Sequence, residues 1–81
     1  MNTRTAVTMT AARLLGLRFN DAARNSRPLP AEAATHFWNP VRGGGGVIVG
    51  ADGTYLFADA ATTWDQHLCA YSSGQRSTGP A

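Results

Sequence analysis

The stretch that decides the fold runs from His36 to Tyr71 and reads HFWNPVRGGGGVIVGADGTYLFADAATTWDQHLCAY. It opens with aromatic residues, passes through four glycines and continues into apolar runs typical of β-strands. Its last part has the spacing of a helix with a side-chain cap. This order of a strand, a glycine turn, a β-hairpin and a capped helix predicts one compact unit. The stretch carries no recognisable catalytic signature, which favours a binding module over an enzyme.

Two apolar runs predict a β-hairpin with strands at about 47–50 and 54–58. The first run is Val-Ile-Val and the second is Tyr-Leu-Phe, which are residue types that strands favour. Asp52 and Gly53 form the turn between them, because glycine can adopt a positive φ. Another strand, over residues 35–38, is predicted before the glycines. Both hairpin runs are apolar at successive positions, so both faces of the sheet need cover.

Helices are predicted on either side of this sheet. The C-terminal helix spans about 64–73, because Thr63 and Gln66 have the spacing of a capping box and Gly74 can end it. The N-terminal helix lies within residues 5–17. Its apolar residues fall on one face: Val7, Ala11, Leu14 and Leu15. The sequence therefore predicts an α+β fold with an N-terminal helix, a small antiparallel sheet and a C-terminal helix.

Two other segments are predicted to lie outside these elements. Residues 20–30 read as a linker, because Pro28 and Pro30 disfavour both a helix and a central strand. Residues 75–81 are polar and are expected to form a disordered tail. The chain of 81 residues is otherwise one small domain.

The composition narrows the classes of protein to which this chain could belong. The single cysteine, Cys69, excludes an internal disulfide and fits a reducing compartment, so we expect a cytoplasmic protein. No apolar run approaches the ~20 residues of a membrane helix, so we expect no membrane partner. All seven basic residues are arginines, five of them between Arg4 and Arg27, and the net charge is +2. A small arginine-rich nucleic-acid-binding regulator is therefore the alternative function.

The glycine run at residues 43–46 does not read as a phosphate-binding loop. Such a loop joins a strand to a helix and carries a lysine, whereas this run leads into a strand and the chain has no lysine. His36 and His67 could meet at a metal with a nearby aspartate, but histidines without fixed ligand spacing are a weak signal. We predict no metal, no cofactor and no catalytic residue, with His67 on the surface of its helix.

The order of these elements has a counterpart in a known family. A strand ending in Trp-Asn-Pro is followed by the glycine turn, Val-Ile-Val, an Asp-Gly turn, Thr-Tyr-Leu-Phe and a helix ending near Gly-Gln-Arg. In this order residues 38–76 resemble the YrhB-like family, catalogued among the immunity proteins of bacterial toxin systems. The resemblance implies a small α+β binding protein without catalytic residues, and it assigns no functional residue.

Together these observations predict a small bacterial protein-binding module, an immunity or accessory protein that binds and neutralises a partner such as a toxin. The expected contact residues are Trp38, Arg42, Gly43 and Gly44. Tryptophan and arginine are enriched at interface hot spots, and a glycine turn is the segment least able to be core. The alternative for Trp38 is burial against the C-terminal helix. We also expect a homo-oligomer, because the second sheet face and the sheet edges need cover.

Overall fold

A four-stranded antiparallel sheet forms the centre of the molecule in a computed structural model that describes residues 3–40 and 45–77. The strands lie in the sheet in chain order: β1 (Ser26–Leu29), β2 (Ala34–Trp38), β3 (Gly46–Gly50) and β4 (Tyr55–Ala58). The helices are α1 (Thr3–Leu15), α2 (Phe19–Arg24) and α3 (Trp64–Ser72), and a 3-10 turn at Pro30–Glu32 joins β1 to β2. The predicted α+β class is confirmed. None of the described helices is long and apolar enough to cross a membrane.

One face of the sheet packs against α1 and α2. Phe37 of β2 pairs with Val47 of β3, and both side chains point to this face together with Val49, because alternate residues of a strand share a face. The core on this side consists of small and medium-sized apolar residues: Val7, Ala11, Ala12, Leu15, Ala22, Phe37, Val47 and Val49. The apolar stripe predicted for the first helix therefore covers the sheet, as expected.

The other face of the sheet is covered by α3. Ile48 points to this face and is fully buried. The predicted capping box is confirmed, because the Gln66 amide donates to Thr63 Oγ1 at 3.2 Å and the Thr63 amide donates to Gln66 Oε1 at 3.0 Å. The chain's own helices thus cover both faces. The prediction of a homo-oligomer rests on a sheet face that the chain itself leaves without cover. A helix of the chain lies on each face, and the homo-oligomer stays a prediction.

The linker predicted at residues 20–30 is wrong, because α2 and β1 occupy most of it. The Trp38 amide donates to the Asn25 carbonyl at 3.0 Å. Antiparallel pairing alternates along a strand, so Pro28 turns its backbone nitrogen away from β2. A proline at the outer edge removes no ladder hydrogen bond, and it also blocks the addition of a further strand.

The tail predicted at residues 75–81 is bound to the sheet over its first part. The Ser77 amide donates to the Tyr55 carbonyl at 2.8 Å, and Ser77 Oγ accepts from the Phe57 amide at 2.8 Å. The Arg76 guanidinium carbon lies 3.6 Å from the centroid of the Tyr71 ring. Disorder is therefore wrong for residues 75–77, and 78–81 lie outside the described residues. Two outward backbone groups of β4, the Tyr55 carbonyl and the Phe57 amide, are therefore hydrogen-bonded within the chain.

The tight packing of α3 on the sheet makes Gly50 a sensitive position. A Cβ there would lie 2.5 Å from the Tyr71 hydroxyl and 2.8 Å from Asp52 Oδ1. We expect Gly50→Ala to lower the free energy of unfolding by about 2 kcal/mol, because overpacking of a dense interior forces side chains and backbone to shift. Urea denaturation followed by tryptophan fluorescence measures this loss.

Two further variants separate the steric effect from a general loss of glycine. Gly53 has a φ of 89°, which strains any residue with a Cβ, but its Cβ position faces open space. Asparagine tolerates positive φ better than most residues, so Gly53→Asn should lower the free energy of unfolding by only ~1 kcal/mol. Tyr71→Phe removes the nearest atom and should restore part of the loss in the Gly50→Ala background. If Gly50→Ala destabilises equally with and without the Tyr71 hydroxyl, the steric explanation is wrong.

Candidate functional site

Two tryptophans and two histidines meet near one end of the sheet, on the face covered by α3. His36 and Trp38 occupy alternate positions of β2 and so share a face, while Trp64 and His67 lie three positions apart on α3. The centroid of the His36 ring lies 4.4 Å from that of Trp64, 5.5 Å from that of Trp38 and 5.6 Å from that of His67. We call these four side chains the aromatic cluster.

The turn between β4 and α3 fixes the position of Trp64 in the cluster. Asp59 Oδ1 accepts hydrogen bonds from the Ala61 amide at 3.0 Å, the Thr62 amide at 3.1 Å and the Thr62 hydroxyl at 3.2 Å. The capping box of Thr63 and Gln66 follows directly after this turn, and α3 begins there. Since aspartate commonly closes turns in this way, the sequence between β4 and α3 encodes the geometry that carries Trp64 over His36.

Glycine allows the backbone of β3 to pass close to the cluster. A Cβ at Gly46 would lie 2.9 Å from the Phe37 carbonyl oxygen and 3.2 Å from His36 Nε2. Gly45 has a φ of 73°, and a Cβ there would lie 2.6 Å from the Ala58 carbonyl oxygen. The last two positions of the run therefore require glycine, because the backbone there lies too close to neighbouring atoms to leave room for a Cβ.

His67 lies in the interior, so the prediction of a surface position is wrong. Its side chain is 4% exposed, and its Nε2 lies 2.8 Å from the Leu56 carbonyl oxygen. Because a carbonyl oxygen can only accept, Nε2 of His67 carries the hydrogen. Trp64, His67 and Tyr71 form the stripe of α3 that faces the sheet. The spacing of the apolar residues alone predicts Trp64, Leu68 and Tyr71, at i, i+4 and i+7, so the prediction for Leu68 is wrong.

His36 is held in its neutral form. Burial, then the nearby His67, and then Arg27 of β1 lower the pKa of His36 from 6.5 to about 4. A cation would lose hydration here and would gain no acidic partner from these neighbours. At neutral pH the imidazole therefore presents an uncharged aromatic surface between the indoles of Trp38 and Trp64.

A cleft of about 280 Å³ opens beside the aromatic cluster. Gly45 and Gly46 line one side, and residues 58–60 and 62–63 form much of the rim. Apart from the two histidines, Asp59 is the only ionisable side chain among the described lining residues. The threonine hydroxyls of the rim are engaged, because that of Thr62 donates to Asp59 and that of Thr63 accepts from the Gln66 amide. The cleft therefore offers aromatic contact more than proton transfer.

Trp38 is the one predicted contact residue that the structure describes, and it lines this cleft. Arg42, Gly43 and Gly44 lie outside the described residues. Sequence reasoning did not place His36 and Trp64 beside Trp38. The alternation of His36 and Trp38 on one strand was a signal for half of this cluster. The rings of His36 and His67 do meet, and the described residues contain no group of three or more potential metal ligands.

Comparison of the chain with protein-family models, with curated proteins and with solved structures finds no match. The resemblance of residues 38–76 to the YrhB-like family therefore stays a prediction. A function for the protein has to be argued from the geometry of the aromatic cluster and from the other surfaces that the fold exposes.

The lowered pKa of His36 predicts that stability depends on pH between about 6.5 and about 4. The unfolded chain protonates this histidine near pH 6.5, whereas the folded protein resists protonation until about pH 4. The contribution of His36 to stability is therefore complete above pH 6.5 and is lost as the pH falls toward 4. Urea denaturation at a series of pH values measures the effect.

The His36→Gln variant is the control, because glutamine is polar and does not titrate. We expect its free energy of unfolding to fall less steeply than that of the wild type over the same pH interval. Asp52, whose pKa is lowered mainly by hydrogen bonds from the Thr54 side chain and amide, loses its contribution only below its ordinary value of 3.8. Identical pH profiles for the two proteins would contradict the assignment to His36.

Proposed function

We propose that the protein is a small bacterial protein-binding module, an immunity or accessory protein that binds and neutralises a partner such as a toxin. One observation supports this proposal more than any other. Trp38 and Trp64 are both half-buried and line the same open cleft, one from β2 and the other from α3. Tryptophans that are part-covered in the free protein and become fully desolvated in a complex are typical of interface hot spots.

The chemistry of the cluster favours binding over catalysis. A general base works best when its pKa lies near the working pH, and the pKa of His36 is lowered to about 4. The Nε2 hydrogen of His67 is committed to the Leu56 carbonyl. The His36 imidazole is therefore not prepared to move a proton at neutral pH, and it presents a flat uncharged surface.

The cluster is also pre-organised. Its members lie on paired strands and on a capped helix, so the side chains have little freedom left to lose when a partner binds. A partner would insert an apolar or aromatic side chain into the cleft of about 280 Å³ beside Trp38. We place this interaction in the cytoplasm, where the single cysteine, which is exposed, stays reduced.

The arginines support a second candidate, a nucleic-acid-binding regulator. The five arginines in the first third of the chain are all exposed: Arg4, Arg13, Arg18, Arg24 and Arg27. Exposed arginines can contact phosphates, but such binding would weaken steeply as salt rises. A complex centred on Trp38 and Trp64 would be much less sensitive to salt, and this difference separates the two candidates.

Replacing Trp38 should abolish most of the partner's affinity. We expect wild-type bait to enrich a host protein that the Trp38→Ala bait does not. With that partner purified, Trp38→Ala should weaken binding about 30-fold, as for a hot-spot residue. Isothermal titration calorimetry at low and at high salt measures both the loss and its salt dependence.

Two matched variants control this experiment. Ala60 is exposed on the rim, so Ala60→Arg should obstruct the cleft without disturbing the core. Phe19→Ala removes an exposed aromatic side chain from α2, away from the cleft, and should leave affinity unchanged. Arg42→Ala tests the predicted contact that lies outside the described residues. Full affinity in both Trp38→Ala and Ala60→Arg would contradict the proposal, and a steep loss of wild-type binding with salt would favour nucleic acid.

A further inference from the structure

A second, larger cleft lies on the opposite face of the sheet, between α1 and the β1–β2 hairpin. Its volume is about 410 Å³, which falls within the range of sites for small molecules. Val7 of α1, Leu29 of β1, and Phe37 and Val49 of the central strands contribute apolar walls. This cleft is a separate site from the cleft beside Trp38 and shares no described lining residue with it.

The described residues that line this cleft carry only positive charge. Among the described residues that line it, Arg4 is the only charged one, and its side chain is exposed. The Thr8 hydroxyl donates to the Arg4 carbonyl at 2.8 Å, which ties the backbone of Arg4 into the first turns of α1. The Thr35 hydroxyl also lines the cleft and has no hydrogen-bond partner within the described residues. An apolar cleft with one cation and one available hydroxyl suits an amphipathic anion.

A strained residue shapes the wall of the same cleft. Ala33 has a φ of 50°, the left-handed conformation that a residue with a Cβ rarely adopts. Its amide donates to the Pro30 carbonyl at 3.2 Å, and its carbonyl accepts from the Ala51 amide at 2.9 Å. These two hydrogen bonds, one to the 3-10 turn and one to the residue after β3, hold Ala33 in this conformation. Strained residues other than glycine gather at binding sites, where the surrounding structure fixes an unusual shape.

We propose that this cleft binds a small amphipathic monocarboxylate. The alkyl or aryl body would lie against Phe37 and Val49, and the carboxylate would face Arg4 at the mouth. Arginine is well suited to this role, because its planar guanidinium pairs with both oxygens of a carboxylate. Thr35 supplies a further hydrogen-bond donor in the wall. The cleft thus selects its ligand by apolar length and by negative charge.

Three probes with the same alkyl chain test this assignment: octanoate, octanol and octylamine. Each is titrated into the ¹⁵N-labelled protein while amide shifts are followed by NMR. We expect saturable shifts centred on Val7, Thr8 and Thr35 with octanoate, and binding about tenfold weaker with octylamine. No saturable shift with octanoate at millimolar concentration, or equal binding of all three probes, would overturn the proposal.

Two variants of exposed residues complete the test. Arg4→Gln keeps the length and polarity of the side chain but removes its charge, so octanoate and octanol should then bind equally. Ala23 of α2 lines the cleft and is exposed, and Ala23→Phe should fill the space and weaken octanoate about tenfold. An unchanged preference for octanoate in Arg4→Gln would overturn the role of charge. Shifts centred on His36 and Trp64 would place octanoate in the other cleft and would also overturn the proposal.

Discussion

The burial of β3 on both faces is the constraint on which the rest of this structure depends. Every residue from Gly46 to Gly50 is buried. Val47 and Val49 contact the α1 side, Ile48 faces α3, and the glycines at the two ends leave room for His36 and Tyr71. A short chain has little apolar surface to bury, and a central strand used on both sides lets one segment serve two helical layers. The position of each layer is therefore fixed relative to the same five residues.

The parts of the fold that could be predicted are those whose signals lie close together in the sequence. The capping box needs only Thr63 and Gln66, and the hairpin turn needs only Asp52 and Gly53. The parts that were missed depend on distant partners. Proline would remove a ladder hydrogen bond in a central strand, so Pro28 in the sequence argues against a strand. Its place at the edge of the sheet, where it removes no such bond, follows only from the pairing of β1 with β2. The contact of Ser77 with β4 uses backbone groups, which leave no trace in composition.

The candidate site follows the same division. Residue type alone singled out Trp38, because large aromatic side chains are the usual anchors of interfaces. The neighbours of Trp38 in the cluster come from packing α3 across the sheet, and a shift of one position in the helical stripe decides whether His67 or Leu68 faces inward. The shift moves the inward side chain by only one residue. It nevertheless replaces an apolar contact with an imidazole that, after burial, helps to lower the pKa of His36. Local patterns thus locate a helix more readily than its exact rotation.

The contact of Ser77 with β4 has a consequence for partly unfolded states of the protein. Segments near the ends of a chain are among those that open most readily while the rest of a domain stays folded. All four strands are complete at Ala58, but the outer edge of β4 is covered only while residue 77 is bound to it. Detachment of this short segment therefore leaves a folded sheet with one unprotected edge. In that state another copy of the chain, or a chaperone, can compete for the place that Ser77 fills.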